Sequence, residues 1–315
     1  FYVISNTEDR FIGTRGAAFG GVQVLVNGVP QHPSLQPTIS ATTIAQLDIP
    51  IDSIDRVEII RGPMSVIYGN NAFFGIINVV TNRLQVQGPR VSASLGSNDN
   101  GRLFARAGQE TDAGFWTLNL GADRNGGLDG PYSHMLGPGQ PPPAATGARK
   151  EIDGDLDWQR MSLDFSGRWR GWEANLRLNR RDYGLYAFTP PFDDGTRVRL
   201  DTVHAALAYG HRFGDHLGLR LTGIYSREDY DAYRLDFLFQ ALEGDQQQSS
   251  ERMELELDLH WRPRQDLDLT AGYRIQRIAD VRNRIDVFPL ARFSDALDPV
   301  IQQDVFAELG WSPAS

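Results

Sequence analysis

After about residue 90, apolar and polar side chains alternate along the chain, which is the period-two pattern of β-strands. In the clearest segment, residues 161–169, apolar residues and glycine at odd positions are separated by Ser, Asp and Arg. The turn Arg170-Gly171 follows, and residues 172–179 alternate again. Pairing Trp169 with Trp172 predicts a hairpin in which apolar meets apolar, with Gly167 opposite Ala174, Phe165 opposite Leu176 and Leu163 opposite Leu178.

The same pattern predicts about ten antiparallel strands in all. A second hairpin covers residues 253–275, and weaker alternation covers 91–109, 115–123, 198–211, 217–226 and 302–311. Short connections near 110–114, 170–171, 213–216 and 263–266 alternate with long ones near 124–155, 184–197, 227–250 and 280–300, and only the link near 98–101 breaks the rule. Short turns therefore gather at one rim and long loops at the other, as in an up-and-down barrel.

Two architectures compete for these strands, a soluble β-sandwich with the apolar face inside and a transmembrane barrel with that face toward lipid. Nine residues tilted by about 40° rise roughly 23 Å, close to the ~25 Å apolar band of membrane barrels. Trp residues also stand beside the short turns, where an interfacial aromatic girdle would lie. The pattern favours the barrel and predicts four membrane-interface aromatics: Trp169, Trp172, Trp261 and Trp311.

Composition narrows the function. Asp and Glu number 40 against 31 Lys and Arg, a net charge of −9, which argues against a nucleic-acid partner. The chain has no cysteine, and its six histidines show no compact metal-ligand spacing. Neither a phosphate-binding loop nor a Gly-x-Ser-x-Gly motif occurs. We therefore predict no enzyme activity, no cofactor and no metal site.

Residues 1–82 differ from the rest of the chain and contain specific sequence motifs. Short β-branched runs end at turn formers such as Asn27-Gly28 and Arg61-Gly62-Pro63. The segments Ile12–Gly16, Val24–Pro30, Ile49-Pro50, Ile54–Pro63 and Tyr68–Thr81 together resemble the plug domain of TonB-dependent outer-membrane receptors. Two departures are small: Asn27 stands where the family usually has Asp, and Phe74 where it usually has Gly.

The resemblance implies a fold and its domains. We expect a mixed α/β plug followed by antiparallel transmembrane β-barrel strands, about ten of the family's roughly twenty-two, so that the barrel is incomplete. The expected domains are a plug at 1–82 with its N-terminal start missing, a linker at 83–90, and the N-terminal part of the barrel at 91–315.

The resemblance also implies a function, active import across the bacterial outer membrane with energy transduced by TonB. TonB is an expected partner, although its binding box is absent from this sequence, and outer-membrane lipid and a small-molecule ligand are the others. An iron–siderophore complex is the favoured ligand, with cobalamin, haem or an oligosaccharide as alternatives. A non-transporting surface binding protein or adhesin is the alternative function.

Site residues follow from the same match. The loop after Pro30 corresponds to a ligand-facing plug loop, so the candidate contacts are Gln31, His32, Ser34, Leu35 and Gln36. For His32, a solvated loop histidine is an equal alternative. Arg15 and Arg61 match plug arginines that bond to barrel carboxylates and lock the plug in place. Glu254, Glu256 and Glu308 lie on polar faces, where we expect solvated lumen residues.

Overall fold

A computed structural model describes residues 2–6, 9–13, 22–31, 48–62, 72–81, 88–127, 129–130, 156–184, 197–237, 242–288 and 291–312. These residues form seventeen β-strands and a short 3-10 turn at Ile51–Ser53. Within those ranges, no helix has the length and apolar character needed to cross a membrane.

The N-terminal region contains two small sheets. Their strands are β1 (Tyr2–Asn6), β2 (Asp9–Gly13), β3 (Val22–Val26), β4 (Val29–Gln31), β5 (Ile54–Arg61) and β6 (Gly75–Thr81). β1 and β2 form an antiparallel pair. The other four form the plug sheet in the order β4-β3-β6-β5, in which only the β3–β6 pair is parallel.

The plug sheet has a conventional aliphatic core. Leu25 packs with Ala72 and Ile76, and Val26 packs with Ile49 and Val79. These side chains are almost completely buried, as the β-branched runs of the sequence predict. The core therefore holds the sheet together without help from lipid.

The turn between β3 and β4 explains the departure at position 27. Asn27 and Gly28 both have positive φ, 51° and 81°, as a two-residue hairpin turn requires. The Asn27 side chain donates to Thr81 Oγ1 at 2.8 Å and accepts from the Thr81 backbone N–H at 2.9 Å. The Asn27 amide thus both donates and accepts a hydrogen bond. The Asp that is usual at this position in TonB-dependent plug domains could only accept, because a carboxylate has no hydrogen to donate.

The remaining strands form one large antiparallel sheet, the barrel sheet. They are β7 (Arg90–Leu95), β8 (Gly101–Thr111), β9 (Gly114–Asn125), β10 (Trp158–Trp169), β11 (Trp172–Gly184), β12 (Arg197–Phe213), β13 (Leu217–Phe237), β14 (Leu242–Arg264), β15 (Leu267–Phe288), β16 (Ala291–Ala296) and β17 (Val300–Trp311). Consecutive strands pair from β7 to β16. The last strand, β17, pairs with the first half of β15, whereas β16 pairs with the far end of β15. Among the described strands, the sheet stays open rather than closing on itself.

The predicted hairpin register is confirmed. Trp169 lies opposite Trp172, Gly167 opposite Ala174, Phe165 opposite Leu176 and Leu163 opposite Leu178. The short connections are also where the alternation predicts them, at 112–113, 170–171, 214–216 and 265–266.

Two of the predicted long connections are wrong. Most of 227–250 continues β13 and β14, and 280–300 contains the end of β15 and all of β16. The outward positions of β13 change from Leu217, Leu219 and Leu221 to Arg227, Asp229 and Asp231. The apolar–polar alternation therefore stops although the backbone pairing continues, and a pattern based on hydrophobicity loses the strand there.

The barrel sheet is polar on its buried face and apolar on its exposed face. Inward side chains such as Thr117, Asn119 and Asp164 are at most 3% exposed, whereas outward Met161 and Leu207 are 63% and 53% exposed. A soluble sandwich would bury its apolar face, so the barrel interpretation is confirmed. The four interface tryptophans are exposed at strand ends beside short turns, and their membrane role stays a prediction.

Candidate functional site

The candidate site is the contact between the plug and the inner wall, by which we mean the inward side chains of β7–β11. This wall is rich in charge because alternate residues on each strand face inward. Arg102 on β8, Asp123 on β9 and Arg160 on β10 lie at neighbouring register positions. The Asp123 carboxylate accepts from both arginines, at 2.9 Å from Arg102 Nε and 2.6 Å from Arg160 Nη2.

The plug faces this wall with the segment 48–53. Asp48 adopts a left-handed conformation with φ 48° and is buried. The Ser53 hydroxyl and backbone N–H both donate to the Pro50 carbonyl, at 2.7 and 2.8 Å, and this closes the 3-10 turn. The two bonds fix the short segment that carries the carboxylates of Asp48 and Asp52.

Both plug carboxylates contact wall arginines. Asp48 lies 3.6 Å from Arg160 and 3.8 Å from Arg181, measured between carboxylate oxygen and guanidinium nitrogen. Asp52 lies 3.7 Å from Arg102 and 3.9 Å from Arg90. Arg160 and Arg102 share Asp123. Negative and positive side chains therefore alternate along a continuous path that starts at Asp48 of the plug, crosses these three wall residues and returns to the plug at Asp52.

Pro50 fits against a glycine of the wall. A Cβ built on Gly121 would lie 2.7 Å from Pro50 Cγ and 2.6 Å from Ser162 Oγ. Real Cβ atoms do not approach other atoms so closely, so any larger residue at position 121 would push the plug away. Gly121 therefore permits the close approach that brings Asp48 and Asp52 to their arginines.

Two further polar contacts extend the interface. The Arg177 guanidinium on β11 donates to the side-chain oxygen of Gln31 at the end of β4. The Thr81 side chain at the end of β6 hydrogen-bonds the carboxylate of Asp164 on β10. All four side chains are buried, so the plug and the wall satisfy each other's polar groups where water has little access.

The buried carboxyl of Asp48 is electrostatically distinctive. Burial raises its pKa above the ordinary value for aspartate, while the guanidinium groups of Arg181 and Arg160 act in the opposite direction. Desolvation therefore outweighs the attraction of the two arginines at this contact, as can occur in ion pairs removed from water.

Five of the seven site residues predicted on the plug lie outside the described residues: Arg15, His32, Ser34, Leu35 and Gln36. Gln31 is described and is engaged with Arg177 of the wall. Arg61 is exposed at the end of β5, and within the described part of the chain it has no ion pair. The ligand-facing role of the loop and the lock role of Arg15 and Arg61 stay predictions.

The family resemblance predicts that plug arginines bond to barrel carboxylates. The structure adds a contact with the charges reversed, in which carboxylates on the plug meet arginines on the wall. Sequence reasoning missed Asp48 and Asp52, although they flank the Ile49-Pro50 motif, and it missed the arginines that face them. The alternation of β10 and β11 already assigns Arg160 and Arg181 the correct parity for the polar face, which is the signal that could have identified them.

One expectation about inner carboxylates is wrong. Glu254 on β14 is not solvated but 5% exposed, and it lies 2.6 Å from Arg252 and 3.2 Å from Arg274. Paired arginines on the same and the adjacent strand surround it, so its charge is compensated within the barrel sheet. Nowhere in the described ranges do three or more potential metal-ligating side chains come together in a way that could hold an ion.

Comparison with known families decides what this plug is. The TonB-dependent Receptor Plug Domain matches residues 5–76. The matched segment carries Gln31, Asp48, Pro50 and Asp52, four of the plug residues that contact the inner wall. Residues 5–76 are therefore a plug domain of the TonB-dependent receptor type.

Solved structures share the fold of this chain along almost its entire length. The copper transporter OprC has a TM-score of 0.65 at 16% identity, over 99% of this chain and 47% of its own. The ferric yersiniabactin uptake receptor FyuA from Yersinia pestis has a TM-score of 0.54 at 15% identity, over 96% of this chain and 56% of its own. The alcaligin outer-membrane receptor FauA from Bordetella pertussis has a TM-score of 0.53 at 16% identity, over 98% and 54%.

The chain therefore spans about half the length of the structures it matches. The expected localisation in the bacterial outer membrane is confirmed by the plug match and by these neighbours.

Proposed function

We propose that this receptor actively imports a scarce metal chelate, with an iron–siderophore complex as the first candidate, by TonB-driven displacement of its plug. The observation that carries the proposal is how the plug is held. Among the residues that the structure describes, it docks on the wall through ion pairs and hydrogen bonds rather than through a continuous apolar core. The proposal includes no covalent chemistry and no cofactor.

The distances within the ionic network support a plug that can leave. Ion pairs between plug and wall are long, from 3.6 to 3.9 Å, whereas Asp123 holds its two wall arginines at 2.6 and 2.9 Å. When the plug moves, Arg160 and Arg102 keep a partner on the wall. These two arginines are therefore not left without a carboxylate, whereas breaking a buried pair outright would cost on the order of 3–5 kcal/mol.

The class of ligand is supported by what the neighbours transport. The structural neighbours are a ferric yersiniabactin uptake receptor, an alcaligin receptor and a copper transporter. A ligand of this class needs binding and passage only. Cobalamin, haem and oligosaccharides are the alternative ligands.

Uptake in cells tests the proposal. Cells that carry the whole receptor are given radioactive iron loaded on a panel of siderophores, with and without a protonophore that removes the energy source. We expect one chelate to accumulate only in energised cells. Binding at the surface without energy-dependent accumulation of any chelate, cobalamin, haem or oligosaccharide would instead identify an adhesin or a surface binding protein.

A further inference from the structure

The outer face of the barrel sheet has a notch close to the short-turn rim. Its floor is Gly167 on β10, and aromatic rings form its walls: Trp116, Phe165, Trp169 and Trp172. The concavity measures about 330 Å³ and lies on the apolar face, which is exposed rather than buried in this sheet. Part of the predicted aromatic belt is thus a shaped cavity rather than a flat surface.

The notch depends on one missing side chain. A Cβ at Gly167 would lie 3.4 Å from a ring carbon of Phe165 and 3.6 Å from Cβ of Trp116, which are ordinary contacts. The φ of Gly167 is not among the positive values that favour glycine. The backbone would therefore accept a larger residue there, and such a residue would fill the space between the rings.

A cation lies at the edge of the notch. Arg170, in the turn between β10 and β11, places its guanidinium 4.9 Å from the centroid of the Trp169 ring. It is exposed, and within the described ranges it forms no ion pair. The nearby Arg168, in contrast, lies 2.6 Å from Glu173. The apolar notch thus borders one uncompensated positive charge at the water boundary.

We propose that this notch binds an anionic glycerophospholipid of the periplasmic leaflet. Short turns of outer-membrane barrels face the periplasm, so the notch lies at the depth of that leaflet's headgroups and upper acyl chains. One acyl chain packs over Gly167 between the rings, and the phosphate contacts Arg170. A protein partner fits less well, because a stable interface needs on the order of 1,000 Å² of buried area. The inference does not depend on which ligand the receptor imports.

Native mass spectrometry of the whole receptor in detergent tests this site, with phosphatidylglycerol and phosphatidylcholine of identical acyl chains as probes. We expect the wild type to retain phosphatidylglycerol about fivefold better, the effect of one basic residue near a charged lipid group. Gly167→Leu fills the notch and should lose retention of both lipids. Arg170→Gln should retain both equally, because the apolar part of the site is intact.

The matched control is Gly223→Leu. Gly223 is another outward glycine, on β13, and its Cβ would meet nothing nearer than 4.0 Å, so this variant should bind lipid like the wild type. Ala174→Leu, which narrows the notch from β11, is the second variant if Gly167→Leu does not fold. Equal retention of the two lipids by the wild type, or unchanged retention in a folded notch variant, would show a non-specific lipid annulus and overturn the proposal.

Discussion

In strands β3 and β6 of the plug sheet most aliphatic side chains are buried, whereas on the outward face of the barrel sheet they are exposed. Leu25 and Ile76 of the plug are at most 2% exposed, whereas Leu255 and Leu257 of β14 are 48% and 40% exposed. Both sheets come from sequences rich in β-branched and apolar residues. The difference lies in the solvent that each sheet meets, water in the lumen for the plug and lipid for the outer face of the barrel.

This difference explains how the two regions can separate. The core around β3 and β6 forms without the barrel sheet, and the contacts between plug and wall in the described part of the chain are mainly polar. Polar contacts exchange readily for contacts with water, at a net cost of only about 0.5–1.5 kcal/mol for each hydrogen bond. A plug with an apolar interface to the barrel would instead lose the burial of that surface whenever it moved.

The largest expected effect comes from removing part of the plug core. Leu25→Ala should destabilise the plug sheet by about 2–5 kcal/mol, because it leaves a cavity between Ala72 and Ile76. Hydrogen-exchange mass spectrometry of β3 and β6 measures this loss. Leu257→Ala, the matched truncation on the outer face, should leave plug exchange unchanged, and equal effects of the two variants would contradict the comparison.

A charge placed on the outer face should have the next largest effect. Leu257 is the middle residue of the outward row that runs from Trp261 to Met253 on β14. Leu257→Arg should cost about 2–4 kcal/mol in lipid vesicles, the usual penalty for arginine near the midplane of a membrane barrel. Urea titration of the vesicle-inserted protein measures it, and a cost near zero would place this face in water.

Loss of the buried plug carboxylate should have an intermediate effect. Asp48→Ala leaves Arg181 without its plug acceptor, and it should weaken docking by about 1–3 kcal/mol while Arg160 keeps Asp123. Faster amide exchange over residues 48–54 is the measurement. Asp55→Ala removes an exposed carboxylate that pairs within the plug with Arg56, so it should leave exchange at the wall unchanged. Similar exchange in the two variants would contradict the docking role of Asp48.

The smallest effect should come from Asp52→Ala. Its arginine partners are about half exposed and lie at 3.7 and 3.9 Å, so the contribution should be about 0–1 kcal/mol and should disappear in high salt. The same exchange measurement, repeated at two salt concentrations, checks it. An effect larger than that of Asp48→Ala would reverse the expected dependence on burial.

The barrel strands are far more predictable from the sequence than the docking contacts. Alternation gives the β10–β11 register residue by residue, because a slip of one position would turn Leu163 and Phe165 inward. The alternation fails where the strands leave the lipid. The outward residues of β13 are charged there, so apolar and polar side chains no longer alternate along the strand. The contacts of Asp48 with Arg160 and Arg181 join segments more than a hundred residues apart, and no local pattern encodes such a pairing.

A reversible cross-link between plug and wall tests the central claim most directly. The Cβ of Pro50 lies 3.3 Å from a Cβ built on Gly121, close to the separation of about 3.5–4.5 Å that a disulfide joins. The chain has no cysteine of its own, so Pro50→Cys with Gly121→Cys introduces one defined bond, and the two single variants are the controls. We predict that oxidation of the double variant stops energy-dependent import of the ligand and that a reductant restores it. Undiminished import by fully cross-linked receptor would show that the plug need not leave the wall, and it would contradict the account.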